Sequence, residues 1–512
     1  MGDKQPYKPP NQARYPKAIR PRFLRSKSGC LGCRIRRKKC DEQKPACKSC
    51  KKQQLICAWP NGDHDIPQSH GFAWQINLKA GGRVSKTPIS VSEPCARQLP
   101  PHETSQNIIK DASRDHDVIC DLGWPGVPIS LQGSHHFHML IEHYVKITSH
   151  TLTGRENHTN PFLSPTLELA SADNLVMHAV LAVSGIHCQH LTKDPDVLVT
   201  TYKHYGTVLK GLKYALTHWV ERTSPEKSLS LLLVAILMCM YEALGGNDNG
   251  AMSLHVRAAR EFCSHLITRE PMARSLPLAG ILFEAYAYFA ALSHLERRAL
   301  ELMPDQDPII SDIDCIKTYQ TFGSYMGCAY QLYELIPTIS RLVLYEKRSI
   351  SRNDDPKLQA LYKDTKRAVA DWTPDEHQAH NYAETMAGMI VQKTLLMLLH
   401  ECRIVEGQGP QHVMRDIQPL IEETMSLIEI ISKEPVSCVL AWPMMITGSM
   451  MVEKRQRHRL LSLFRTHHTH TALAEQIVRL LNLVWEDDDK NLFGITGLGT
   501  VAKQHKTYMC YA

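Results

Sequence analysis

From Phe137 to the end of the chain, apolar side chains recur every three to four positions; ahead of that point they keep no period. Met252, Val256, Ala259, Cys263, Leu266 and Ile267 fall on one helical face. So do Ile417, Leu420, Ile421, Leu427, Ile428 and Ile431, and again Leu473, Ile477, Leu480, Leu481 and Val484. No stretch shows sustained alternation with a period of two. The pattern predicts an all-helical region over residues 134–512, and with 43% hydrophobic residues it can bury one large core or two smaller ones. The longest apolar run, Leu231 to Tyr241, falls well short of the ~20 residues that cross a bilayer. It predicts a core helix and no membrane span.

The first quarter of the chain has a different texture. Residues 1–29 carry eight basic side chains against the single acid Asp3, with five prolines, which reads as a disordered basic arm. Pro6 stands where a myristoylation signal needs Ser or Thr, and no apolar signal segment follows. Residues 58–133 are rich in Pro, Gly, Ser and His, including Pro100-Pro101 and Gly81-Gly82, and predict a disordered linker. Its opening, Ala58 to Gly71, holds two prolines and two glycines, so no heptad coiled coil starts there. Either the chain binds as a monomer helped by Arg14 to Lys27, or a homodimer forms through the helical region.

Charge sharpens this division. Residues 1–60 carry 17 basic and 3 acidic side chains, net +14, while the whole chain is +7; the other 452 residues are therefore net −7. A chain basic at one end and mildly acidic elsewhere suits a nucleic acid better than a membrane surface. Arg20 to Lys39 can also serve as a nuclear-import signal, so the expected location is the nucleus.

The chemistry sits between the arm and the linker. Six cysteines form two copies of C-x2-C-x6-C, Cys30, Cys33 and Cys40, then Cys47, Cys50 and Cys57, offset by seventeen residues. A structural zinc takes four tetrahedral ligands, so six thiolates serve two ions only if two of them bridge. Symmetry assigns the bridges to Cys30 and Cys47. A disulfide scaffold and a one-ion zinc ribbon leaving Cys40 and Cys57 out are the competing readings; neither accounts for the repeat, and a reducing compartment disfavours the first.

This stretch resembles the fungal Zn2Cys6 binuclear-cluster transcription factors at every cysteine interval. The resemblance extends to the basic run after the second cysteine, Asp41 after the third and Pro45 two before the fourth. It implies a small cluster of two short helices over residues 30–57, two zinc ions, and double-stranded DNA as partner. In that family the first helix reads a CGG-type triplet in the major groove, and the base-reading position falls on Arg37, with Arg36 beside it. Arginine suits the role because its fork bonds O6 and N7 of one guanine together. Arg34, Lys38, Lys39 and Lys51 are then phosphate contacts, which position without specifying.

The helical region resembles the regulatory domain of fungal factors related to the sterol uptake control protein and the acriflavine-sensitivity regulators. The resemblance rests on HYVKITSHTL, Asn160 to Phe162, MHAVLAVSGIH and SLHVRAAREF. It implies a regulatory domain that either holds a hydrophobic small molecule or packs solidly and offers its surface to coregulators. The expected output is control of a pathway such as a secondary-metabolite gene cluster, with sterol- or drug-responsive genes as the alternative. A metal or thiol sensor that reads no DNA sequence is the remote one.

No constellation of nucleophile, base and orienter points to an enzyme. Gly497 to Ala502 fits G-x-G-x-x-A, but no strand precedes it and it reads as a loop. His135, His136 and His138, and His467, His468 and His470, form His-rich clusters that 27 scattered histidines produce readily. Met444 to Met451 and the cysteines outside the cluster read as core, and Leu481 to Phe493 as a helix end with an acidic turn rather than an activation segment.

Overall fold

The computed structural model describes residues 39–44, 47–52, 135–153, 160–218, 224–246, 250–269, 278–296, 316–317, 319, 321–374, 381–404, 410–466, 472–486, 492–509 and 511. The basic arm 1–29, the linker 58–133, Cys30, Cys33, Arg34, Arg36, Arg37, Lys38, Cys57, and the histidines at 467, 468 and 470 lie outside the described residues. The chain divides into two units, Met1–Pro101 and His102–Ala512. In the first, one short helix is described, α1 (Lys48–Lys52).

The second unit is helical, with no strand among the described residues. Its first helix, α2 (His135–His143), runs into a π turn over Tyr144–Thr148. The helices α3 (Ser164–Ala172), α4 (Asn174–Thr192), α5 (Pro195–Thr217), α6 (Pro225–Gly245) and α7 (Met252–Arg269) follow, then α8 (Ala279–Ser293) and α9 (Tyr330–Leu344). Next come α10 (Lys347–Arg352), α11 (Pro356–Asp371), α12 (Tyr382–Glu401), α13 (Gln411–Ile431), α14 (Ala441–Ser449), α15 (Lys454–Thr466), α16 (Ala472–Trp485) and α17 (Gly494–Gln504).

Local signals set the ends of many of these. Asp173, Asp194, Ser224, Asp355 and Asn381 cap α4, α5, α6, α11 and α12 by accepting first-turn N–H groups, and Pro195, Pro225 and Pro356 open the capped helices. Gly246 closes α6 at φ +83°, where a glycine has no Cβ to strain.

The three apolar stripes lie on α7, α13 and α16 and face inward. Buried side chains from Phe137 to Tyr511 form one contiguous cluster, so the region has one core. At its centre α6 is buried from Ser228 to Glu242, and α8 is buried along nearly its whole length. The run Leu231 to Tyr241 is part of a 21-residue helix, longer than the run alone, that is long and apolar enough to cross a membrane by length and composition. In the fold, 83% of its apolar window is buried against protein, as in a core helix. Met444, Met445, Met450 and Met451 pack beside fully buried Trp442, and Cys188, Cys239, Cys263, Cys328 and Cys402 are buried.

Two buried carboxylates organise backbone far away in sequence. Glu284, fully enclosed in α8, accepts the N–H groups of Gly323, Ser324, Tyr325 and Met326 at 2.9–3.1 Å. Glu401, at the end of α12, accepts Ile495 N at 2.9 Å, Thr496 N at 3.0 Å and the Thr496 hydroxyl at 2.6 Å, which caps α17. Burial pushes the Glu401 carboxyl up, and Lys347 and the Thr496 donors hold it back. Gly497 to Ala502 is thus helix, not loop. A Cβ at Gly494 would sit 2.0 Å from the Glu401 carboxylate, and one at Gly497 would sit 2.8 Å from the Leu492 backbone. These glycines serve close approach, and their low helix propensity is offset by the remote cap.

Candidate metal centre and nucleic-acid interface

In the first unit, the described residues bring the third and fourth cysteines of the double repeat together. Asp41 accepts the Lys48 N–H with both carboxylate oxygens, at 3.0 and 3.1 Å, and so caps α1 from seven residues upstream. Lys51 N donates to Cys47 O at 2.9 Å and closes the first helical turn. The chain folds back through Glu42 at φ +58°, whose N–H donates to Cys40 Sγ at 3.4 Å. As a result Cys40 Sγ, an Asp41 oxygen and Cys47 Sγ lie within 4.8 Å of one another. Cys47 is fully buried and Cys40 is half-buried.

This geometry fits a zinc centre. Tetrahedral Zn–S bonds of ~2.3 Å put two ligand sulfurs ~3.8 Å apart, which a separation of no more than 4.8 Å admits. Asp41 is engaged with the Lys48 amide and acts as the clasp that closes the ring. The backbone places Cys50 within α1, three residues after Cys47. Lys39 and Lys51 are exposed, as are Lys44, Lys48 and Lys52. The sequence pattern pointed to the cysteines and lysines; the clasp role of Asp41 was the residue-level feature it missed, although an Asp beside the third cysteine was its signal.

The helical unit holds one polar constellation that the sequence reading did not find. The Tyr205 hydroxyl donates to Glu242 Oε1 at 2.7 Å and lies 3.3 Å from His255 Nε2, itself 3.6 Å from Glu242 Oε1. Tyr205 also stacks on Tyr241 at 4.3 Å between centroids. Burial, then the neighbouring Glu242 carboxylate, pushes the Tyr205 hydroxyl pKa far up. Glu242 and His255 are 5% and 4% exposed and Tyr205 is half-buried, and the group ties α5, α6 and α7 together.

Comparison with known proteins covers both units. Residues 28–62 match the fungal Zn(2)-Cys(6) binuclear cluster domain, and residues 138–496 match the fungal specific transcription factor domain. Transcription factor lfc1 of Flammulina velutipes is 47% identical over 104 residues, 17% of this chain and 37% of that protein. Pestheic acid cluster transcriptional regulator 3 of Pestalotiopsis fici is 24% identical over 279 residues, 46% of this chain and 48% of that protein. Sterol uptake control protein 2 of Saccharomyces cerevisiae is 29% identical over 94 residues, 18% of this chain and 10% of that protein. The chain thus spans less than half the length of each of these relatives. No solved structure matches it. With one domain match on the double cysteine repeat and the other across most of the helical unit, the chain belongs to the fungal zinc-cluster transcription factors.

Proposed function

We propose that the protein is a nuclear, sequence-specific DNA-binding regulator of transcription, with no catalytic activity of its own. It reads CGG-type half-sites through a cluster of two zinc ions held by Cys30, Cys33, Cys40, Cys47, Cys50 and Cys57, with Cys30 and Cys47 shared. The observation that carries this reading is the meeting of Cys40 and Cys47 under the Asp41 clasp, inside the matched cluster domain. In the shared-ligand assignment these two sulfurs belong to the same ion. Bound zinc supplies a cross-link that a unit with so little apolar core needs in order to fold. Arg37, with Arg36, contacts the guanines; Arg34, Lys38, Lys39 and Lys51 neutralise phosphates.

The helical unit controls when and with whom the cluster acts, as a docking surface for coregulators or a second copy of the chain. Support comes from the burial of α6, α8 and much of the Met444 to Met451 stretch in one apolar cluster among the described residues. The programme controlled is a pathway gene set such as a secondary-metabolite cluster, in keeping with the name of the Pestalotiopsis fici relative. The match to sterol uptake control protein 2 favours a second reading, a sterol- or other lipid-responsive regulator, and mass spectrometry of the purified helical unit separates the two. A stoichiometric lipid selects the second reading; an empty domain selects the first. Selection from random DNA at physiological salt tests DNA recognition itself. A CGG-containing motif is expected; no enriched motif would overturn it.

A further inference from the structure

Helix α5 is tied down along one side, where Val197, Thr201, His204, Val208 and Leu212 are buried and the helix packs chiefly on α4 and α6. Along the opposite side Val199, Tyr202, Gly206, Lys210, Lys213 and Leu216 recur every three or four positions. Val199, Tyr202 and Leu216, with Tyr214 beside them, are between 39% and 67% exposed. No other described element shows more than one large apolar side chain so open.

The charge on this side has one sign. From Val197 to His218 there is no Asp or Glu, and Lys203, Lys210 and Lys213 are exposed with no ion-pair partner among the described residues. By contrast Lys146 is matched by Glu142, Lys227 by Asp173, and Arg459 by Glu422 and Glu429. Gly206 sits in the middle of the face, and a Cβ there would meet nothing within 4 Å. The molecule's own packing does not require that glycine, although glycine weakens a helix interior relative to alanine. A notch at this point lets the backbone of another helix come close.

An apolar stripe flanked by unpaired lysines fits a helix of the opposite design, with apolar residues flanked by carboxylates. The face from Val199 to Leu216 is ~25 Å long at ~1.5 Å per residue, the length of about five turns of partner. A second copy fits less well, because an antiparallel pair centred on Gly206 brings Lys203 of one chain beside Lys210 of the other. A DNA backbone would meet the lysines and offer nothing apolar to Val199 and Leu216.

We propose that the outer face of α5 docks an acidic amphipathic helix of a coregulator protein, with Gly206 as the point of closest approach. The assignment of the partner rests on the reading of the helical unit as a coregulator surface.

The test titrates the full-length zinc-loaded chain with a labelled peptide of about 18 residues, leucines at helical i, i+3, i+4 and i+7 spacing flanked by glutamates. A control peptide carries lysine in place of glutamate. Residues 1–60 offer the acidic peptide a rival basic surface, so the readouts are the effect of substitutions on α5 and the position labelled by a photo-cross-linker at the peptide's centre. Lys203→Glu/Lys213→Glu, and separately Gly206→Leu, which fills the notch without touching charge, should each weaken the acidic peptide about tenfold and leave helical unfolding in place. The label should fall between residues 199 and 216. Equal affinity for wild type and variants, preference for the lysine peptide, or labelling outside α5 would overturn the proposal. A wild-type dimer in sedimentation that Gly206→Leu dissociates would give the face to a second copy and overturn it too. A reporter gene indifferent to the substitutions, where the peptide docks on the wild-type face as expected, would contradict the coregulator reading and leave the docking surface standing.

Discussion

The two units are stabilised by different physics. Around α1, residues 39–44 and 47–52 include five exposed lysines and a single buried thiol among the described side chains, and what draws the chain together is a carboxylate clasp and sulfur chemistry. In the helical unit one apolar cluster extends from Phe137 to Tyr511, and two of its buried carboxylates, Glu284 and Glu401, fix backbone. The contrast predicts that metal loss acts on the first unit and damage to the apolar core on the second.

Breaking each side in turn should give separable effects. Cys47→Ala removes a buried sulfur shared by both ions in the proposed cluster; DNA affinity should fall more than about 100-fold by electrophoretic shift, while helical unfolding stays unchanged. Glu284→Ala leaves four buried N–H groups without their acceptor and should cost the helical unit about 3–5 kcal/mol in denaturant titrations, with zinc content intact. Leu233→Ala, fully buried in α6, should cost about 2–5 kcal/mol by the same measurement.

Acid should act on the helical unit through buried histidines. Burial holds His187 and His400 down at about 4 and His204 at about 3, each below the ordinary 6.5. Lys366 and Arg403 press His400 further down, while Asp416 opposes them. Between these values and 6.5 the unfolded chain binds more protons. Stability is therefore full above pH 6.5 and is lost as the pH falls toward 4, by at most about 3 kcal/mol per histidine. Helical melts across that range should show the midpoint falling; a flat midpoint would contradict the neutral buried state.

The smallest effects sharpen the DNA side. Arg37→Ala should cost about 1–3 kcal/mol on the CGG triplet and relax preference there. Lys39→Ala should weaken all sequences alike and reduce the salt slope by about one.

Much of the fold was legible because it rests on local periodicity. The stripes at Met252 to Ile267, Ile417 to Ile431 and Leu473 to Val484 became α7, α13 and α16, each with its apolar side buried. The misreadings have two causes, long-range contact and helix extension into polar turns. α17 looked like a loop because its glycines are poor helix formers, and its cap, Glu401, lies more than ninety residues away. The run in α6 looked short because the helix extends into Ser, Glu and Lys at its first turns. In the cluster the cysteine spacing carried the chemistry, whereas the clasp between Asp41 and Lys48 becomes visible only when the chain is folded.

The most direct test of the central claim, that two zinc ions and six cysteines make the DNA-reading unit, is the zinc content of a fragment covering residues 20–60. Two ions per chain, and loss of its helical signal on chelation, are the predicted result. One ion per chain, or a fold that survives chelation, would contradict the shared-ligand cluster and the account built on it.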